Sequence, residues 1–209
     1  MKKPILLPIL TILICAVVLF ALSAGLNGVA ATNAQKDHIA LMQTLLPDDD
    51  DFTVNYDSNP FVVVPYAGDD ANIRSVHKSE NGFVIETVTY GYAGEITMFI
   101  GVNNEGKVTG LVVRDLSETY GLGKEALTNV EFLRQFLNSS GTFEVATAGA
   151  DAFSGATAEA AEPADGDTVE VDALTGATVT SKAVIRAVNS AVGYVTGADT
   201  ASAATSWGG

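Results

Sequence analysis

From Pro4 to Asn33 the chain carries no charged side chain, and its core from Ile5 to Leu22 is almost wholly apolar. That core and a few flanking residues, wound as a helix, reach the ~30 Å of a bilayer interior. Lys2 and Lys3 on the short side predict a cytoplasmic N-terminus and an exported remainder. The small residues of Ala21-Leu22-Ser23-Ala24 would also suit a cleaved secretory peptide, but the run is longer than such a peptide's apolar core. An amphipathic helix over residues 33–46 is predicted to continue from the span, with Ile39, Leu41, Met42, Leu45 and Leu46 on one side. Residues 47–71 are rich in Asp, Pro, Asn and Gly and read as a connector, with a short strand at Phe61-Val62-Val63-Val64.

Beyond the connector the apolar period shortens to that of strands, over 73–78, 83–91, 95–102 and 107–114. Asn81-Gly82 and Asn103-Asn104-Glu105-Gly106 are hairpin signals, so neighbouring strands should pair antiparallel. A helix follows over about 124–137, facing Leu127, Val130, Leu133, Phe136 and Leu137 inward. Residues 147–167 are dominated by Ala, Gly, Asp and Glu and read as a flexible insertion. A last strand, 168–172, leads into a second amphipathic helix whose Val184, Val188, Ala191, Val192 and Val195 recur at steps of three and four. Thr178, Thr180 and Ser181 are its expected caps, and Gly193 or Gly197 its expected stop. The prediction is therefore α+β: a single N-terminal transmembrane helix (residues 1–30), a helix and connector (31–71), one extracytoplasmic domain with a largely antiparallel sheet flanked by helices (72–197), and a disordered tail (198–209) that includes Trp207.

Composition narrows the chemistry. The chain has 25 acidic and 11 basic residues. Every acid lies beyond residue 30, where only nine basic residues oppose them, a surplus of about sixteen negative charges that disfavours nucleic acid and anionic lipid. Cys15, the single cysteine, allows neither a disulfide framework nor an iron–sulfur cluster within the domain. The four carboxylates Asp48–Asp51 lack the glycine and glutamate spacing of a calcium loop and read as a solvated turn. His38 and His77 read as isolated from each other, so no metal site is expected. Hydrolase elbows, zinc-protease helices and Walker loops are missing from the sequence.

The candidate chemistry sits at Asp172-Ala173-Leu174-Thr175-Gly176-Ala177-Thr178, which runs directly into the last helix. Small residues and hydroxyls at a helix start bring backbone N–H groups and the positive dipole end together, the makings of a phosphate site. The same pattern also fits an ordinary capped helix. The heptad resembles the target motif of the periplasmic flavin transferases, Asp-x-x-(Ser/Thr)-Gly-Ala-Thr, in which FMN is joined to the final threonine through a phosphodiester. Thr180-Ser181-x-Ala183-Val184 after it, Ser117-Glu118-Thr119-Tyr120-Gly121-Leu122-Gly123 upstream, and Gly91-Tyr92-Ala93-Gly94 are similar to the FMN-binding domain shared by the G component of the Rnf electron-transport complex and the C component of the sodium-pumping NADH:quinone reductase. Tyr120 stands where that family has proline.

The resemblance implies covalent FMN on Thr178, with Asp172, Thr175, Gly176, Ala177, Thr180, Ser181 and Lys182 around the attachment point. It also implies that Glu118, Thr119, Gly121, Leu122 and Gly123 lie beside the flavin, and that Asp172 serves the attachment reaction. A second heptad, Asp151-Ala152-Phe153-Ser154-Gly155-Ala156-Thr157, fits the same pattern. Thr157, however, is followed by Glu159, Glu162 and Pro163, which shorten any helix and repel a phosphate, so it is the second choice. The implied protein is a membrane-anchored electron carrier of an Rnf-type ion-translocating ferredoxin:NAD oxidoreductase rather than a stand-alone catalyst. Its expected partners are the complex's other membrane subunits and a flavin transferase. A freestanding extracytoplasmic flavin carrier, or an anchored module using the turn only as a helix cap, are the alternatives.

Overall fold

The computed structural model describes residues 6–47, 54–55, 58–116, 127–146 and 165–198. A helix, α1 (Leu6–Leu45), leads into five strands: β1 (Val62–Val64), β2 (Ile73–Lys78), β3 (Gly82–Tyr90), β4 (Glu95–Asn103) and β5 (Val108–Leu116). They form an antiparallel meander in sequence order. Its turns are built as the sequence predicts: Gly82 (φ +153°) and Gly106 (φ +82°) take conformations that favour glycine, and Gly106 N–H closes on Asn103 C=O at 3.0 Å.

Strand periodicity sends alternate residues to opposite faces. Ile85, Met98, Ile100 and Val102 face the last helix, α3 (Thr178–Thr196), and join Val184, Val188, Ala191 and Val192 in the main core. Val84 and Phe99 face the other way and pack with Ile39, Met42 and Leu45 of α1. Gly101 and Gly110 leave a slot for that helix, since a Cβ on either would meet Leu45. The Thr109 hydroxyl donates to Leu45 C=O.

Three elements differ from the sequence reading. The helix expected over 124–137 is broken within the described residues: Leu127 and Thr128 are helical, and at Asn129 the chain starts afresh as the short α2 (Val130–Arg134), Asn129 Oδ1 accepting from the N–H groups of Glu131 and Phe132. The restart rotates the apolar face. Val130 is 59% exposed while Phe132 is buried; Leu127 and Phe136 are buried as expected. Next comes an unpredicted strand, β6 (Ser140–Val145), which pairs in parallel with β7 (Asp165–Val171) as a second, two-stranded sheet. β7 therefore takes up the last residues of the expected insertion; the remainder of that segment, Thr157 included, lies outside the described residues. Asn189 of α3 fastens β6 as a neighbouring strand would, donating to Phe143 C=O at 2.9 Å and accepting from its N–H at 2.8 Å.

The two histidines are not isolated. His38 of α1 and His77 of β2 meet edge to face with ring centroids 5.9 Å apart, and His38 also stands on Phe99. Distance along the chain hid a contact made by docking α1 on the sheet. The predicted helix over 33–46 is the end of continuous α1. Among the described residues no helix is long and apolar enough to cross a membrane; the consecutive side chains described in the apolar run, 12–21, are exposed.

Candidate cofactor site

β7 ends at Val171, and six residues carry the chain to α3. The first, Asp172, is held by Gln135 just past α2: the side-chain amide accepts from Asp172 N–H at 2.8 Å and donates to Asp172 C=O at 3.3 Å. Leu174 to Ala177 then form a tight turn, Ala177 N–H to Leu174 C=O at 2.9 Å, with Gly176 at φ +78°. Glycine fits there because an L side chain is strained at that φ. Ser181 locks the turn from inside the helix, accepting from Leu174 N–H at 3.2 Å and donating to Ala177 C=O at 3.0 Å. Its buried hydroxyl is thus committed to the protein.

Thr178 opens α3, exposed, with Thr175, Gly176 and Lys182 exposed beside it. The expected hydroxyl cap is absent: the N-cap is Ala177, and no side chain caps the helix. The first-turn N–H groups and the positive dipole end therefore stand without a side-chain acceptor, next to an exposed hydroxyl. Thr180 adds a second irregularity, being 1% exposed with its Oγ1 lacking a hydrogen-bond partner. A phosphate ester on Thr178 fits this environment: donors without a side-chain acceptor, a small-residue turn and a neighbouring lysine. The expected stop is found at Gly197, which is left-handed at φ +72°.

Register shows what else lies at this end of the molecule. Tyr194, near the far end of α3, packs on Phe83 at the start of β3, whereas Arg186 donates to Tyr90 C=O at 2.8 Å at the end of β3. The N-terminal half of α3 therefore points to the β3–β4 turn, Gly91–Gly94, closed by Gly91 N–H to Gly94 C=O at 2.9 Å. Leu116, the last residue of β5, pairs with Ile96 at the same end. The chain thus leaves the sheet there, immediately before Ser117. Glu118, Thr119, Gly121, Leu122 and Gly123 themselves lie outside the described residues. The fold brings the heptad, the glycine turn and the exit to the upstream motif to one end of the sheet.

Sequence reasoning misses Gln135 and the role of Arg186. Gln135 stands 37 residues from its partner Asp172 and carries no motif. Arg186 is half-buried, and burial pushes its guanidinium pKa below the ordinary value. Among the described residues no carboxylate pairs with it.

The FMN-binding domain family matches residues 91–193. The chain is similar to the G component of the ion-translocating oxidoreductase complex of Methanosarcina acetivorans, 31% identical over 88% of this chain and 93% of that protein. It is also similar to the G component of the Na(+)-translocating ferredoxin:NAD(+) oxidoreductase complex of Acetobacterium woodii, 33% identical over 53% of this chain and 47% of that protein. A third relative is the G component of the ion-translocating oxidoreductase complex of Aliivibrio fischeri MJ11, 32% identical over 58% of this chain and 53% of that protein. The aligned stretch thus spans nearly all of the Methanosarcina acetivorans relative and about half of the other two.

Proposed function

The chain belongs to the FMN-binding family that includes the G components of the ion-translocating oxidoreductase complexes, and from that membership we propose that it is the membrane-anchored flavin carrier of an Rnf-type complex, with FMN ester-linked to Thr178. When bound, the flavin supplies the redox chemistry; the protein supplies attachment, position and electrostatics. The observation that carries the reading is the exposed Thr178 at the start of a helix whose N-cap, Ala177, makes no side-chain cap, at the end of the sheet where the Gly91–Gly94 turn lies and β5 ends at Leu116. In attachment, Thr178 Oγ1 forms a bond to the flavin phosphorus of the transferase's donor. The donor's leaving group departs and the hydroxyl proton passes to the transferase.

Lys182, one turn after Thr178 and exposed, pairs with the ester's remaining negative charge. Gly176 lets the backbone lie close to the phosphate, and Asp172 faces the transferase. The motif from Glu118 to Gly123 borders the ring, with Leu122 packing on it and its glycines permitting close approach. The almost wholly apolar, uncharged sequence from Ile5 to Leu22 supports a single span with the N-terminus in the cytoplasm and the domain outside. The partners are then the complex's membrane subunits, and a transferase during maturation.

Intact mass and in-gel fluorescence of the full chain, extracted from membranes after coexpression with a flavin transferase, test this. One flavin should be added and should be lost in Thr178→Val. A chain left colourless by an active transferase overturns the reading, and a flavin kept by Thr178→Val but lost in Thr157→Val moves the attachment to the first heptad.

A further inference from the structure

We propose that Arg186, together with the β3–β4 turn that it clips in place, is the seat for the ring end of the cofactor and supplies the positive charge that sets its reduction potential; this rests on FMN being attached at Thr178. Thr178, Lys182 and Arg186 follow one another at steps of four, the spacing of a ridge on a helix surface. Arg186 lies about 12 Å along the axis from Thr178, a span suited to phosphate, ribityl chain and ring laid end to end. A phosphate at the helix start with Lys182 beside it directs the ribityl chain along that ridge, and the ridge ends at the turn.

The turn is made to receive a flat aromatic. Tyr90 is 67% exposed and Tyr92 80% exposed, and Tyr92 is flanked by the small residues Gly91 and Ala93. Arg186 fixes this turn by donating to Tyr90 C=O, which occupies one of the five N–H donors of a guanidinium. Among the described residues no carboxylate compensates its charge. In a chain of 25 acids, a half-buried arginine with no carboxylate partner among the described residues is a departure from the usual pairing of buried charge. A ligand whose ring gains negative charge on reduction accounts for it: the cation stabilises the reduced form more than the oxidised one, and partial burial weakens solvent screening.

The two roles of Arg186, clip and charge, separate by substitution. Arg186→Gln keeps an amide donor for Tyr90 C=O and removes the charge; Arg186→Lys keeps the charge. Both are made in the Thr157→Val background, loaded with flavin, checked for one flavin by intact mass, and titrated spectroelectrochemically alongside thermal melts. Arg186→Gln should disfavour the reduced form about tenfold, which for a two-electron couple is a shift of about 30 mV to more negative potential, while Arg186→Lys recovers most of it. Tyr92→Ala should broaden the flavin's visible band and lower its fluorescence anisotropy. A potential unchanged in Arg186→Gln overturns the proposal and leaves Arg186 as a structural clip, even if the melting temperature falls. An unloaded wild-type chain would instead sink the attachment at Thr178.

Discussion

At the scale of single residues, the polar side chains that hold the site's frame each replace a missing main-chain partner. Asn189 is buried, and its amide gives Phe143 both of the hydrogen bonds that a neighbouring strand would give. Asn189→Ala removes the partner from two buried backbone groups, an effect of roughly 2–6 kcal/mol at about 1–3 kcal/mol per unsatisfied group. Denaturant unfolding in detergent should show this loss, with Asn189→Asp intermediate because it keeps the acceptor for Phe143 N–H. Thr178 and Gly197 are legible in the sequence because a helix start among small residues and a glycine after the last apolar repeat are local signals. Ser181 reads from its motif as a neighbour of the cofactor, yet its hydroxyl ties Leu174 to Ala177. Hydroxyl type and spacing are identical in the two roles, and only the turn's path separates them. Gln135 and Asn189 are illegible for a different reason: each serves a main-chain group far away in sequence, so no window of neighbouring residues contains both partners.

At the scale of elements, local periodicity is a good guide wherever an element pairs with its neighbour in sequence. The four strands β2 to β5 and their hairpins follow from alternation and turn residues. β6 does not, since Ser140-Gly141-Thr142 lacks an apolar alternation and its partner β7 is parallel and distant. The helix before it is broken at Asn129, which, as one more polar position within the apolar pattern, acts as a cap for a fresh start. Asn129→Ala should cost about 1 kcal/mol, read as a lower denaturation midpoint with unchanged slope. The docking of α1 tests a second element. A methyl on Gly101 would collide with the Leu45 main chain, and backbone cannot swing aside as a flexible side chain does. Gly101→Ala should therefore unseat the end of α1: amide exchange over residues 38–46 should accelerate, while α3 keeps its protection. Equal loosening of α3 would show that the two faces of the sheet are not independent.

For the whole molecule, the junction between α1 and the domain carries a titratable pair, His38 and His77. His38 is pressed between α1 and the sheet with Nε2 buried and lacking a hydrogen-bond partner. Burial lowers its pKa below 6.5, the Arg114 guanidinium from β5 and His77 from β2 lower it further, and Glu86 from β3 opposes them. Burial also lowers the pKa of His77, again against Glu86. Glu86 is already engaged, accepting from the Ser75 hydroxyl at 2.8 Å and lying 3.9 Å from Arg74. With that proton spent on Glu86, Ser75 Oγ accepts from His77 Nε2, 3.2 Å away, so His77 is held as the Nε2–H tautomer. Both folded-state pKa values lie below the unfolded one. Above pH 6.5 both states are neutral and the contribution to stability is complete; as pH falls through 6.5 the unfolded chain takes up protons that the folded chain refuses, and stability drops until the folded histidines titrate. The slope is at most about 1.4 kcal/mol per pH unit for each proton. Thermal melts of the detergent-extracted chain between pH 7.5 and pH 5.5 should therefore fall in wild type and flatten in His38→Gln/His77→Gln, with exchange at residues 38–46 following the same curve. Equal slopes in the two proteins would place the acid sensitivity in groups other than this pair.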